Sequence, residues 1–218
     1  MRKRILLVHA YGPSMAPIVD AFKTQWREAE VLNLLDEALY ADVGPDGVLA
    51  QDMFGRVERL LSHAAQSRAD GIIFTGSTFG PAVDAARARI SIPVLKADEA
   101  MCDRIAARNQ RVLVVCTAKR ALPIIRANIM EAAARRGTRP ELTELCPAGA
   151  KDAISAGDHG THDRLIADSV EAAGDYDMIA LGQISMVPAI GLLTPATAAR
   201  VLATPQCSVE RMRELVGA

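Results

Sequence analysis

A chain of 218 residues, half of them apolar but only 4% aromatic, is long enough to bury a real core built from Ala, Val, Leu and Ile. Such a core suits helices packed on a parallel sheet. Lys plus Arg (25) nearly balances Asp plus Glu (26), so no basic field draws in nucleic acid or anionic lipid, and no stretch approaches the roughly 20 apolar residues that a membrane helix needs.

The amino terminus, Met1-Arg2-Lys3-Arg4 followed by Ile5-Leu6-Leu7-Val8, has the basic start of a signal peptide, but its apolar run is too short and Tyr11-Gly12-Pro13 interrupts it. The expected location is the cytoplasm. Strand patterns follow at residues 4–9, 30–34, 71–75, 93–96, 111–116, 141–146, 178–182 and 200–203. Helical patterns lie between them at 17–27, 49–68, 81–90, 99–108, 120–136, 159–173, 187–200 and 208–216. This alternation predicts βαβ units with right-handed crossovers, an α/β protein. Cys102, Cys116, Cys146 and Cys207 show no CxxC or zinc-finger spacing and read as free thiols in a reducing compartment.

The pattern repeats. Residues 4–8 resemble 111–115, residues 70–74 resemble 177–181, and residues 94–95 resemble 201–202, each at an offset of 107. Three matches at one offset point to an internal duplication, with halves at 1–98 plus 205–218 and at 99–204. In open parallel sheets the loops at the carboxyl ends of strands collect ligand-binding residues. Two such sheets facing each other would share one site between the halves. Ala10 then pairs with Thr117, Gly76 with Gln183, and Thr78 with Ser185.

Four strand-end loops carry the chemistry: His9 to Ser14, Thr75 to Pro81, Cys116 to Lys119 and Gly182 to Met186. They are rich in Gly and small hydroxyl residues, and helices follow them, so free backbone N–H groups and hydroxyl donors can cradle a carboxylate. Ser77, Thr78, Thr117 and Ser185 equally suit a plain capping role. Tyr11 is a candidate for the cleft wall, with Ser14 beside it. None of the loops matches a phosphate-loop or dinucleotide pattern, so no nucleotide is expected. His9 reads as a hydrogen-bonded structural residue, with acid–base work as the alternative. Cys116 reads as strand-end packing, with a substitute base as the alternative. Asp158 reads as a helix cap, and Glu99 as a helix-start residue or a cleft carboxylate. His159 and His162, without a third ligand, argue against a metal site.

At His9-Ala10, Leu34-Leu35-Asp36-Glu37, the run Phe74 to Pro81, Ile92-Pro93-Val94-Leu95, Gly157-Asp158, His162-Asp163 and the run Leu181 to Met186, the chain resembles the aspartate/glutamate/hydantoin racemase superfamily. The resemblance implies two flavodoxin-like halves, each a parallel four-stranded sheet flanked by helices, with a small carboxylate substrate between them. It implies no cofactor, whether metal, pyridoxal phosphate or nucleotide. It also implies Tyr11, Ser14, Ser77, Thr78, Phe79, Thr117 and Ser185 as substrate-binding positions. Racemases of this kind carry one catalytic Cys in each half, one thiolate removing the α-proton and the opposing thiol returning it. Those positions fall here on Gly76 and Gln183, neither of which titrates. Three functions follow: isomerisation at the carbon next to a carboxylate with the thiol pair lost, decarboxylation of the arylmalonate decarboxylase type, or carboxylate binding without turnover. A homo-oligomer is expected from the abundance of apolar helices.

Overall fold

The structure, a computed structural model, describes residues 2–44 and 47–218; Met1 of the basic start lies outside them. The chain divides into two compact units, Met1–Ala100 with Pro205–Ala218, and Met101–Thr204. In the first unit, strands β1 (Arg4–His9), β2 (Glu30–Leu35), β3 (Gly71–Thr75) and β4 (Val94–Lys96) form one sheet, all parallel, in the order β2-β1-β3-β4. Helices α1 (Met15–Gln25), α2 (Ala38–Ala41), α3 (Gln51–Gln66) and α4 (Gly80–Arg87) connect them, and α5 (Glu99–Ile105) leads into the second unit.

The second unit repeats this plan. Strands β5 (Arg111–Val115), β6 (Glu141–Leu145), β7 (Met178–Leu181) and β8 (Val201–Ala203) run parallel in the order β6-β5-β7-β8. Helices α6 (Ala121–Arg136), α7 (Ala150–Ser155), α8 (His159–Ala172) and α9 (Pro195–Ala198) flank them, and α10 (Thr204–Leu215) returns the chain to the first unit. The central strands are unbroken aliphatic runs, as strands covered on both faces require: Ile5 to Val8, Ile72 to Phe74, Val112 to Val115 and Ile179 to Leu181 are all at most 5% exposed. The edge strand β6 is polar instead, Glu-Leu-Thr-Glu-Leu, with both glutamates and Thr143 exposed and both leucines half-buried.

The duplication extends to single hydrogen bonds. The Arg4 backbone N–H donates to Asp70 Oδ2 at 2.8 Å, and the Arg111 N–H donates to Asp177 Oδ2 at 2.8 Å. Each carboxylate, one residue before its own strand, ties that strand's entry to the start of the neighbouring central strand. The Arg111 N–H is also the leading reason that Asp177 is held below the usual carboxylate range.

Most elements fall where the sequence pattern puts them, with one clear correction. The helix expected over 187–200 does not form. A 3-10 segment spans Ile184–Leu192, and α9 covers only Pro195–Ala198. Pro188 has no N–H to give an α-helical ladder, and Pro195 with its capping Thr194 starts a new helix. Two short helices, α2 and α7, lack the length for a periodic signal and were not expected. The end of α6 is set by Gly137, whose φ of +69° lets its N–H reach the Ala133 and Ala134 carbonyls.

Within each sheet the strand order reverses between the two central strands, β1 and β3 or β5 and β7. Chains leaving those tips turn to opposite faces, which opens a crevice there. The predicted loops all leave from these four tips.

Candidate functional site

In the first unit, β1 ends at His9, which is fully buried. Burial pushes its pKa down from the ordinary 6.5, against an opposing hydrogen bond to Asn33. In the neutral ring, Nε2 donates to Asn33 Oδ1 at 2.9 Å and Nδ1 accepts from the Thr75 hydroxyl at 2.8 Å. Both nitrogens are thus committed to joining β1 to β2 and β3, the structural role the sequence suggested. Ser14 closes its own turn, its hydroxyl donating to the Tyr11 carbonyl at 2.6 Å and lying 3.3 Å from Thr75 Oγ1. The Gly12 N–H donates to Glu37 Oε1 at 3.3 Å, which pins this loop to the start of α2.

The loop after β3 begins at Gly76, whose φ of 171° is extended backbone open to any residue. A Cβ placed there would lie 3.1 Å from the Phe79 ring, 3.3 Å from the Phe74 ring and 3.4 Å from Ala10 Cβ. A side chain at position 76 would thus start against the Phe79 and Phe74 rings, with Ala10 of the β1 turn next to them. Ser77 is half-buried, while Thr78 is buried with its hydroxyl 3.3 Å from Tyr40 Oη. Phe79 has no exposed surface and packs edge-on against Phe74 and Tyr40, at centroid distances of 5.9 and 5.3 Å. Phe79 shapes the wall from behind. Tyr11 meets Tyr40 edge-on at 6.0 Å. Burial, then Tyr40 and Glu37, raises the Tyr11 phenol above its ordinary value, so it stays protonated near neutral pH.

Tyr40 was not singled out from sequence. It sits in four-residue α2, which has no periodicity to mark it. The usable signal was scarcity: with three tyrosines in the chain, one beside the Asp36-Glu37 loop is notable. Asp36 itself is held by a paired contact from Arg56 at 2.8 and 2.9 Å, which fixes the loop that carries Tyr40.

In the second unit, three donors converge on one atom of Gln183. Its Oε1 accepts from the Thr117 N–H at 2.7 Å, the Thr117 hydroxyl at 3.1 Å and the Ala118 N–H at 3.2 Å. Only an oxygen can accept three donors, so the orientation of the carboxamide is determined. Thr117 is buried, and its own carbonyl accepts from the Cys146 thiol at 3.6 Å. Ser185 is buried on the 3-10 segment that follows. Cys116 is fully buried, facing the point where a Cβ on Gly182 would fall, 2.6 Å from its Sγ. Buried and packed in this way, it matches the inert thiol expected from sequence.

The capping role considered for the hydroxyl residues is not the one they take. The residues before α4, α6 and the Ile184–Leu192 segment are Phe79, Arg120 and Gln183, and none caps through its side chain. Asp158 does cap α8, accepting from the Thr161 N–H at 3.0 Å. Glu99 is engaged by Arg87 at 2.9 and 3.1 Å rather than offered to a ligand. His159 is exposed and His162 is buried against Asp163, so the two do not share a face. Among the described residues no three His, Cys, Asp or Glu side chains gather to hold a metal, and no helix is long and apolar enough to cross a membrane.

Two parallel α/β sheets, with loops rich in Gly and hydroxyl residues at the switch-point tips, define the class of the amino-acid racemase fold. Solved structures of that fold align over the chain. An aspartate racemase homologue from Pyrococcus horikoshii OT3 aligns with TM-score 0.67 at 15% identity, covering 100% of both chains. A glutamate racemase from Bacillus anthracis aligns with TM-score 0.72 at 11% identity, covering 99% of this chain and 82% of that one. An arylmalonate decarboxylase aligns with TM-score 0.64 at 16% identity, covering 99% and 93%. No curated protein matches the sequence. The family model for Asp/Glu/Hydantoin racemase matches residues 15–212, and the chain belongs to that family.

Proposed function

We propose that this protein is a cofactor-independent enzyme acting at the carbon next to the carboxylate of a small amino acid or related acid. The positions proposed to act on it are Gly76 and Gln183, at equivalent strand tips of the two units. The observation that carries this reading is the pairing of turns at equivalent strand tips. A Cβ at position 76 would touch Ala10 of the β1 turn at 3.4 Å, and Gln183 reaches the Thr117–Ala118 turn, the counterpart of that turn 107 residues on. Tyr11, Ser14, Ser77, Thr78 and Phe79 would be substrate-binding positions at the tips of the first unit, and Thr117 and Ser185 at those of the second.

With Gly and Gln at the two thiol positions, two-thiol proton exchange is not available to this chain. A second reading is favoured by one observation: the first tip has a protonated phenol, Tyr11, and no base at position 76. That suits decarboxylation. Loss of CO₂ from a malonate-type acid leaves the electron pair of the broken C–C bond on the α-carbon, and the Tyr11 hydroxyl supplies the proton, regained afterwards from solvent. Nuclear magnetic resonance in D₂O tests both, reading α-deuterium incorporation into amino and hydroxy acids and CO₂ release from substituted malonates. The isomerase reading expects exchange, at the least in Gly76→Cys with Gln183→Cys. The decarboxylase reading expects CO₂ release that Tyr11→Phe abolishes. Ligand binding with neither reaction in either protein leaves a carboxylate-binding protein, and no binding at all overturns the assignment.

A further inference from the structure

The three hydrogen bonds to Gln183 have a consequence for what this position does. A turn made by the Thr117 N–H, the Ala118 N–H and the Thr117 hydroxyl is a receptor for an oxygen atom. In this protein the oxygen is supplied from within, by Gln183 Oε1. No hydrogen bond to the Gln183 Nε2 is found among the described residues, and Nε2 is not among the buried polar atoms left without a partner. The carboxamide is thus fixed at one end and open at the other. Its acceptor is used up, and its two N–H donors face water-accessible space on a half-buried side chain.

We infer that Gln183 is a locked hydrogen-bond donor that selects a ligand with an acceptor oxygen, a carboxylate above all. Thr117 is its positioning residue. Three donors on Oε1 withdraw charge from the amide, which strengthens the N–H groups opposite. A pre-oriented carboxamide also loses little rotamer freedom when it binds. A cysteine at this position would hand a proton back and forth. A locked amide cannot, so Gln183 would contribute binding and orientation only. The inference rests on the proposed carboxylate site and goes further by giving Gln183 a role in it.

The probe is malonate, added to the full-length protein. The side-chain ¹⁵N–¹H₂ signals of Gln183 are assigned by their loss in Gln183→Glu, a variant that keeps an oxygen in the turn. Malonate is expected to shift those signals in the wild type. Gln183→Glu should weaken malonate binding roughly 10- to 100-fold, the scale of a hydrogen bond to a charged group, with an unchanged melting temperature. Thr117→Val should weaken it several-fold and move the Gln183 signals before any ligand is added, and Thr117→Ser should restore both. If malonate binds but leaves the Gln183 signals in place, or binds Gln183→Glu as tightly as the wild type, the donor role is overturned while the carboxylate site stands. If the wild type binds no malonate and no amino acid, the site itself falls and the donor role with it. If Thr117→Val leaves the Gln183 signals unmoved, the lock is wrong.

Discussion

The central strand tips of the two units descend from one plan, yet they hold opposite chemistry at equivalent places. In the first unit His9 and Thr75 meet in a hydrogen bond at 2.8 Å. The residues 107 further on are Cys116 and Gly182, where a thiol fills the space left by a missing side chain. One residue beyond, the first unit has Gly76 with nothing to offer the neighbouring turn, and the second has Gln183 filling it with an amide oxygen. Around the first tip lies an aromatic wall of Tyr11, Tyr40, Phe79 and Phe74. Among the described residues no aromatic pair is found at the second tip. A duplicated scaffold keeps its sheets because the buried aliphatic strands tolerate little change. Its loops are free to diverge, so the two tips differ in their side chains and bonds while the strands stayed alike.

The sharpest way to break this asymmetry is to place thiols at positions 76 and 183. Gly76→Cys with Gln183→Cys is expected to raise α-proton exchange of a bound amino acid by about 10²- to 10⁴-fold, the usual scale for positioned acid–base groups. Exchange rates measured in D₂O check it. Position 76 should accept the change, since its backbone is extended and the nearest ring atoms stand at 3.1 and 3.3 Å, needing shifts of only a few tenths of an ångström.

The next largest effect separates the paired tips by stability. Gly182→Ala would drive a Cβ to 2.6 Å from Cys116 Sγ and 3.3 Å from the Val115 carbonyl, with both neighbours buried. Overpacking of this kind costs about 1–3 kcal/mol, read as a lower midpoint in urea unfolding. Combining it with Cys116→Ala should recover most of the loss. Thr75→Val at the equivalent place in the first unit leaves His9 Nδ1 without its partner and is expected to cost about 1–2 kcal/mol.

A pH series sharpens the same contrast, because the first tip contains a buried titratable ring and the second does not. His9 has its pKa lowered in the folded state, chiefly by burial. The unfolded chain therefore takes up a proton first as pH falls. The stability from neutral His9 is fully present above the ordinary value near 6.5 and is lost as pH drops from there through the folded value. Relative to His9→Gln, the wild type should lose melting temperature on going from pH 8 to pH 5. A constant difference would count against a neutral buried ring.

The smallest effect lies away from the tips. Glu171 accepts from the Thr194 N–H at 2.7 Å and the Thr197 hydroxyl at 2.9 Å, and these bonds hold its pKa low. Glu171→Gln should lower the melting temperature slightly at neutral pH. The difference should fade as pH falls through the carboxylate range, where the wild-type group is protonated as well.

Much of the fold was legible because it rests on local pattern. Ile5-Leu6-Leu7-Val8 and Val112-Leu113-Val114-Val115 can hardly be anything but buried strands, and the 107-residue offset exposed the duplication without any coordinates. The miss at 187–200 came from counting apolar residues where Pro188 and Pro195 set the outcome. At the candidate site, residue types and their places at strand ends were readable, but partners were not. Ser14 turned back onto the Tyr11 carbonyl, Phe79 turned into the core, and Tyr40 came in from a helix too short to announce itself.

The sequence by itself determined two parallel α/β units and membership of the Asp/Glu/Hydantoin racemase family. Hydrophobic period and repeat spacing are properties of the chain read in order. Only the tertiary structure decided that Gln183 spends its oxygen on Thr117 and Ala118, and that His9 is sealed between Asn33 and Thr75. Those bonds join residues 24 to 66 positions apart. Their geometry depends on how adjacent strands bring their tips together, which no local pattern records.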